Sequence, residues 1–260
     1  MLLVLPASVC GCAFQPIGRA TTARPQVAVH NLWDVEVPYA EALEWQRELQ
    51  KDRVASVQSR GAGQSSDATD TVILLQHPPV LTLGTSSTLD NMLNAEDPPF
   101  DLIRTERGGE VTYHGPGQLV LYPILDLRSY RQDVHWYMRA LEEIAIRTLR
   151  SLGLPAEREP GLTGVWVNGA KACAEGVKIS RWVTMHGLAL NVETDLADFA
   201  HIVPCGIADR PVTSVAEQLR SAGTPEAELP SLEYVQGLML RHFADVFECE
   251  LVDTRSLAGP

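Results

Sequence analysis

Arg107–Tyr122, RGGEVTYHGPGQLVLY, is the stretch on which the fold turns. VTYH and QLVLY are strand-forming runs on either side of Gly115-Pro116-Gly117, which predicts a hairpin-like strand pair within residues 102–127. A pair built for stability alone would not also hold Gly108, Gly109, Gly115 and Gly117. Glycine inside a strand gives up packing and chain entropy, and marks a bulge or the close approach of backbone to a ligand. The stretch is shaped to hold something.

Working outward, a short strand over Val27–Trp33 precedes a helix over Pro38–Val54, where Leu43, Gln46 and Leu49 fall at helical spacing. Residues 56–70 are small and polar and predict a loop, followed by strands at Thr71–Gln76 and Val80–Leu83. Asp133–Leu152 is the clearest helix: Asp133 caps it, Val134, Met138, Leu141, Ala145, Thr148 and Leu152 form one face, and Gly153 ends it. Val165–Val167 and Ala172–Ile179 flank Asn168-Gly169, a hairpin signal, and Trp182–Val192 is a further strand. Ser214 and Glu217 have capping-box spacing, and Ser231–Phe247 is a second long amphipathic helix. Hairpins mixed with helices, without regular strand–helix alternation, predict an α+β fold with mixed or antiparallel sheets flanked by helices. No linker interrupts residues 31–255, which are expected to form one domain.

The chain has 260 residues, 45% of them hydrophobic, enough for a sizeable core. No apolar run approaches the roughly 18 residues that span a bilayer, so no membrane segment is expected. Cys10, Cys12, Cys173, Cys205 and Cys249 are odd in number and scattered, which argues against a disulfide framework. No metal-binding spacing appears. The net charge of −12 is uneven: residues 100–190 carry 11 basic and 10 acidic groups, whereas residues 191–260 carry 4 and 12. A general nucleic-acid binder would be basic, so that class is disfavoured, while a local basic patch could receive an acidic protein. The first 33 residues lack Asp and Glu but contain Arg19 and Arg24 among Ser, Thr and Ala. Residues 1–30 are therefore expected to be an organellar transit peptide or a disordered tail.

Two side chains could carry chemistry. Cys205, in HIVPCGI, lies between Pro204 and Gly206, where a thiolate could be exposed to backbone donors. A small buried hydrophobe is the plain alternative. Lys171 heads a strand of small residues, Ala172, Cys173 and Ala174, and is a candidate for burial as a base; a solvated hairpin lysine is the alternative. His114, His186 and His201 could join Cys205 in a hydrolase or metal site, but no pair has ligand spacing. His186-Gly187-Leu188-Ala189 also fits core with one close backbone contact. From these residues alone, acyl transferase, ATP-dependent ligase, thioesterase and binding module stay open.

Taken together, RGGEVTYHGPGQLVLYP, GVWVNGAKACAEGVKI, TMHGLALNV and HIVPCG, with HPPVLTLG and VTSVAEQL, resemble the octanoyl-[acyl-carrier-protein]:protein octanoyltransferases over roughly residues 30–250, in that family's order and spacing. The HIVPCG form resembles the eukaryotic organellar branch. The resemblance implies a fold like the catalytic domain of biotin and lipoate protein ligases. It implies Cys205 as the acyl-accepting nucleophile and Lys171 as the base paired with it. It implies that Arg107, Gly108, Gly109, Glu110, Val111, Thr112, Tyr113 and His114 line the acyl chain, with Ala174, Glu175, Gly176, Gly187, Leu188 and Ala189. The implied partners are octanoyl-acyl carrier protein as donor and the lipoyl domains of 2-oxoacid dehydrogenases and the glycine cleavage H protein as acceptors. No ATP, other cofactor or metal is implied, and the compartment is the mitochondrial matrix, with the plastid as alternative. The family carries Ile or Val after the lysine and Leu or Ile before the glycine, where this chain has Ala172 and Glu175. A carboxyl group there is unexpected against an aliphatic chain.

Overall fold

The computed structural model describes residues 14–17, 24–61, 69–93, 96–203 and 210–254. Among them an eight-stranded mixed sheet carries helices on both faces, with a three-stranded sheet beside it. The large sheet runs β11 (Glu250–Asp253), β1 (Gln26–Glu36), β2 (Asp70–Gln76), β6 (Gln118–Ile124), β10 (Val183–Asn191), β9 (Ala170–Ser180), β8 (Val165–Val167), β7 (Ala156–Glu157). Its β11–β1 and β1–β2 pairs are parallel and the rest antiparallel. The small sheet has β3 (Val80–Leu83) between β4 (Asp101–Arg104) and β5 (Thr112–His114). This is the α+β architecture expected.

β2 and β6 are buried along their whole length because both faces are covered. Side chains alternate along a strand, so Val72, Leu74, Leu119 and Leu121 face α2 (Val134–Ser151) and α4 (Leu232–Val246). Ile73, Leu75, Val120, Tyr122 and Ile124 face α1 (Tyr39–Gly61). The capping signals at Asp133 and Ser214 hold: the Asp133 side chain accepts from Trp136 N–H, and Ser214 Oγ accepts from Glu217 N–H at the start of α3 (Val215–Ser221); Ser231 likewise accepts from Tyr234 N–H at the start of α4. Asn168 and Gly169, both at positive φ, make the β8–β9 turn. No helix among the described residues is long and apolar enough to cross a membrane.

Three expectations are corrected. The strands of Arg107–Tyr122 do not pair with each other: β5 joins β3 in the small sheet and β6 lies between β2 and β10 in the large one. Gly115-Pro116-Gly117 carries the chain between sheets rather than around a hairpin. α1 runs to Gly61, through the first part of the expected loop. On α2 the expected Leu141, Ala145 and Thr148 are buried, but Trp136, Tyr137, Ala140 and Ile144 widen the buried face and Val134 is 43% exposed. β1 begins at Gln26, one residue before the expected Val27, and ahead of it the Phe14 ring packs near Trp136, whose Nε1–H donates to Gln15 O.

Candidate active site

Lys171 lies at the head of β9, 6% exposed, with its Nζ 5.0 Å from the centroid of the Trp166 ring. Its N–H donates to Pro211 O (2.9 Å) and its C=O accepts from Thr213 N–H (2.9 Å), so it is bridged to Val212. The lysine is therefore fixed against the chain that follows residues 204–209. Cys205 falls in that segment, outside the described residues. On the other flank, Val203 N–H donates to Asn91 O (2.8 Å) and Ile202 is bridged to Met92.

Lys171 opens onto a cavity of about 420 Å³. One wall is Arg107–Glu110, Thr112 and His114; another is Ala174–Val177 on β9 and His186–Ala189 on β10; Tyr39, Val120, Tyr122, Met138 and Gly161–Thr163 complete it. Backbone packs closely around it. A Cβ at Gly187 would run into the Leu121 carbonyl oxygen, and one at Gly176 would come within 2.8 Å of the Gly108 carbonyl oxygen. Arg107 holds the glycine turn: Nη2 donates to Thr82 O (2.8 Å) and Oγ1 (2.9 Å), and Nη1 to Gly108 O (3.1 Å). Gly108 N–H donates to Val177 O (3.0 Å), tying the turn to β9.

A buried polar chain leads from this wall back to the lysine. His114 Nδ1–H donates to Gln118 Oε1 (2.7 Å), Gln118 Nε2 to Asn191 Oδ1 (2.9 Å), and Asn191 Nδ2 to Thr213 O (3.0 Å). The N–H of that same Thr213 bonds Lys171. Beside it, His77 Nδ1–H donates to Val37 O (2.6 Å), which leaves Nε2 to accept from Tyr122 O–H (2.8 Å). Burial pushes His77 down to about 4 and His186 to about 3, and holds His114 well below the usual range, with His77 adding to the effect. These rings are neutral at neutral pH. His186 has φ +58° in the middle of β10, with its N–H bound to Gln46 Oε1 (2.9 Å), a left-handed residue held by its surroundings.

Glu175 touches the cavity, but both carboxyl oxygens are buried and have no hydrogen-bond partner among the described residues. Burial pushes its carboxyl well above the ordinary range, and the charge of Glu142 pushes the same way. Arg139 and Arg158 are already bound to Glu142, each at 2.6 Å.

Twelve of the fourteen residues expected to line the acyl chain border this cavity, and Lys171 does too. Val111 and Tyr113 do not: along β5 and the residue before it they alternate with Thr112 and His114, and pack with Leu81, Leu83 and Phe199 in a separate cluster. His201 stands apart as well, its ring against Phe100. Tyr39, Met138 and Gly161–Thr163 were not legible as site residues. Val120 and Tyr122, two residues apart on one strand face, were not singled out either.

Residues 38–243 match the model of the lipoyl protein ligase A/B catalytic domain. An octanoyltransferase of Gloeobacter violaceus is 50% identical over 216 residues, covering 82% of this chain and 89% of that one. The chloroplastic octanoyltransferase LIP2p2 of Arabidopsis thaliana is 44% identical over 226 residues, covering 85% and 79%. Among solved structures, lipoate-protein ligase A bound with ATP superposes with a TM-score of 0.62 at 16% identity, over 87% of this chain and 88% of that one. A putative lipoate protein ligase from T. acidophilum with bound lipoic acid gives 0.60 at 16% identity, over 89% of each chain. The fold is that of the lipoate protein ligases, the sequence is far nearer to the transferases, and the chain belongs to the octanoyltransferases of the lipoyl protein ligase A/B family.

Proposed function

We propose that this octanoyltransferase takes its acyl group from octanoyl-acyl carrier protein, holds it as a thioester on Cys205, and passes it to a lysine of a lipoyl domain. The observation that carries this reading is the placement of Lys171. It is buried on the wall of the cavity, and its main chain is bonded on both sides of Val212, seven residues beyond Cys205. A lysine tied to this part of the chain is a fitting base for a thiol seven residues earlier.

In the first step Lys171 takes the Cys205 thiol proton and the thiolate attacks the thioester carbonyl carbon. The bond from that carbon to the carrier's sulfur breaks, and the proton leaves with the carrier's thiol. In the second step the acceptor's amine attacks the Cys205 thioester, its proton passes through Lys171 to the departing thiolate, and an amide forms. Thioester exchange is nearly balanced and amide formation is downhill, so neither step needs ATP. The neutral His77, His114 and His186 place no charge against an alkyl chain. The chloroplastic relative favours the plastid over the mitochondrial matrix as the compartment.

The test is to mix the protein with octanoyl-acyl carrier protein without nucleotide and measure intact mass. An octanoyl adduct is expected on the wild type and none on Cys205→Ser. An adduct that persists in Cys205→Ser, or octanoylation of a lipoyl domain that requires free octanoate and ATP, would overturn the reading. Release of free octanoate without transfer would instead make the protein a thioesterase.

A further inference from the structure

A second groove, of about 470 Å³, runs between α1 and the β9–β10 turn. It is lined by Arg47 and Lys51 on α1, by Lys178 and Arg181 at the end of β9, and by Glu106. Arg47 binds Glu106 through two nitrogens (3.0 and 2.9 Å) and also pairs with Glu44, and Lys178 Nζ is 3.5 Å from Glu106. Glu106, held down to about 2 chiefly by its hydrogen bond from Arg47, stays ionised and occupies those two cations. Lys51 and Arg181 have no ion-pair partner among the described residues and are exposed. Counting Glu44 and Glu106 against four cations, the groove carries +2 on a chain whose total is −12.

Two features tie this patch to the acyl cavity. Glu106 and Lys178 line the groove while their chain neighbours Arg107 and Val177 line the cavity, and the Gly108–Val177 hydrogen bond joins the two walls. The groove therefore lies alongside the cavity. Arg181 is also held in place: it has φ +50° and Trp182 +65°, a turn geometry that Asn-Gly would adopt with less strain. Arg128 Nη2 donates to Arg181 O (2.9 Å) and Leu127 N–H to Trp182 O (2.8 Å), fixing that conformation.

Resting on the acyl-transfer reading, we propose that this groove docks the donor: an acidic carrier protein whose acyl group hangs from a phosphate-bearing arm. Lys51 and Arg181 pair with its anionic groups and bring the arm to the adjoining cavity. Charge complementarity selects the donor over the acceptor, because the acceptor must deliver a lysine ammonium that this patch repels.

The test compares wild type with the double variant Lys51→Glu/Arg181→Glu, using octanoyl carrier protein and octanoyl-pantetheine, a neutral small thioester, as donors. With the carrier, kcat/KM for acylation should fall at least about tenfold in the variant, mainly through KM. The gap should close near 0.5 M salt, where the Debye length is only about 4 Å. With octanoyl-pantetheine the variant should match wild type, and the charge-keeping Lys51→Arg/Arg181→Lys should match it with both donors. Equal rates with the carrier overturn the proposal, as does an equal loss with both donors, which would mean a damaged site. A loss confined to transfer from preformed acyl-enzyme to the lipoyl domain would assign the groove to the acceptor and also overturn it. A wild type acylated by neither donor would defeat the acyl-transfer reading itself, an outcome distinct from those three.

Discussion

On one side of the eight-stranded sheet Trp136, Tyr137, Phe243 and Phe247 pack against Leu119, Leu121 and Leu190; on the other, Tyr39, Tyr122, His114 and His186 line a cavity, with His77 packed behind them. The same strands supply both faces by alternation, so β6 gives Leu119 and Leu121 to one and Val120 and Tyr122 to the other. The α2–α4 face closes rings on one another, with Phe243 and Phe247 at 4.8 Å and Trp136 and Phe247 at 5.9 Å. The α1 face spends buried volume on polar groups, glycine turns and open space. Stability is concentrated on the first face and chemistry on the second.

Substitutions on each face can break that division. Lys171→Met keeps the length of the side chain and removes the proton acceptor. Transfer should fall by about 10²–10⁴ in rate, with the denaturation midpoint little changed. Loss of the fold together with transfer would make Lys171 a structural residue. Phe243→Ala should do the reverse, lowering unfolding free energy by about 3–5 kcal/mol because a fully buried ring leaves a cavity. The molecules that remain folded should transfer at the wild-type rate. A slow but stable Phe243→Ala protein would show that the two faces are coupled.

The pH dependence of stability should also have two origins. His77 is held at about 4 in the folded protein against 6.5 unfolded. The unfolded chain binds that proton first, so stability is present above 6.5 and lost as pH falls toward 4, by about 3 kcal/mol for this one ring. His186 adds to the same acid limb. Glu175 works in the opposite direction: its carboxyl is held up in the fold, so the folded state keeps a proton the unfolded chain has released, and stability declines as pH rises above 4.5. Chemical denaturation across pH should show both limbs. His77→Gln should make the acid limb shallower, and Glu175→Leu should make the alkaline one shallower, Asp70, also pushed up by burial, keeping part of it. An alkaline decline unchanged in Glu175→Leu would mean that the carboxyl finds a partner on folding.

Legibility in the sequence followed the range of the interaction. Asp133 and Ser214 were readable as caps because a cap is decided within three residues, and Asn168-Gly169 because a two-residue turn fixes its own hairpin. The parting of β5 from β6 was not readable. Gly115-Pro116-Gly117 bends the chain equally well within one sheet or between two, and the choice is made by β3 and β10, which lie far away in sequence. Lys171 and the glycine walls were carried by motifs, which report the site without its geometry. Val111 and Tyr113 fall inside a motif and outside the cavity, because a contiguous string ignores strand alternation. The Thr213 link between His114 and Lys171 joins four separate segments, and no local pattern announces it.

The sharpest version of the comparison sets two small losses side by side. Asp133→Ala removes one hydrogen bond at the start of α2, and Gln118→Ala removes the centre of the polar chain behind the cavity. The first should cost about 1 kcal/mol of stability, the usual size of a lost cap. The second leaves His114 Nδ1–H and Asn191 Oδ1 buried without partners and should cost about 1–3 kcal/mol. Transfer should separate them further. Asp133 lies outside the cavity wall, so Asp133→Ala should acylate and transfer as wild type does. Gln118→Ala loosens Asn191, which holds the Thr213 carbonyl, and through Thr213 the backbone of Lys171, so its rate should fall about tenfold. Stopped-time intact-mass measurements under conditions where both variants are fully folded give the two rates directly. If both variants transfer alike, the polar chain is a stability element on the wrong face, and the division between the faces is less clean than the packing suggests.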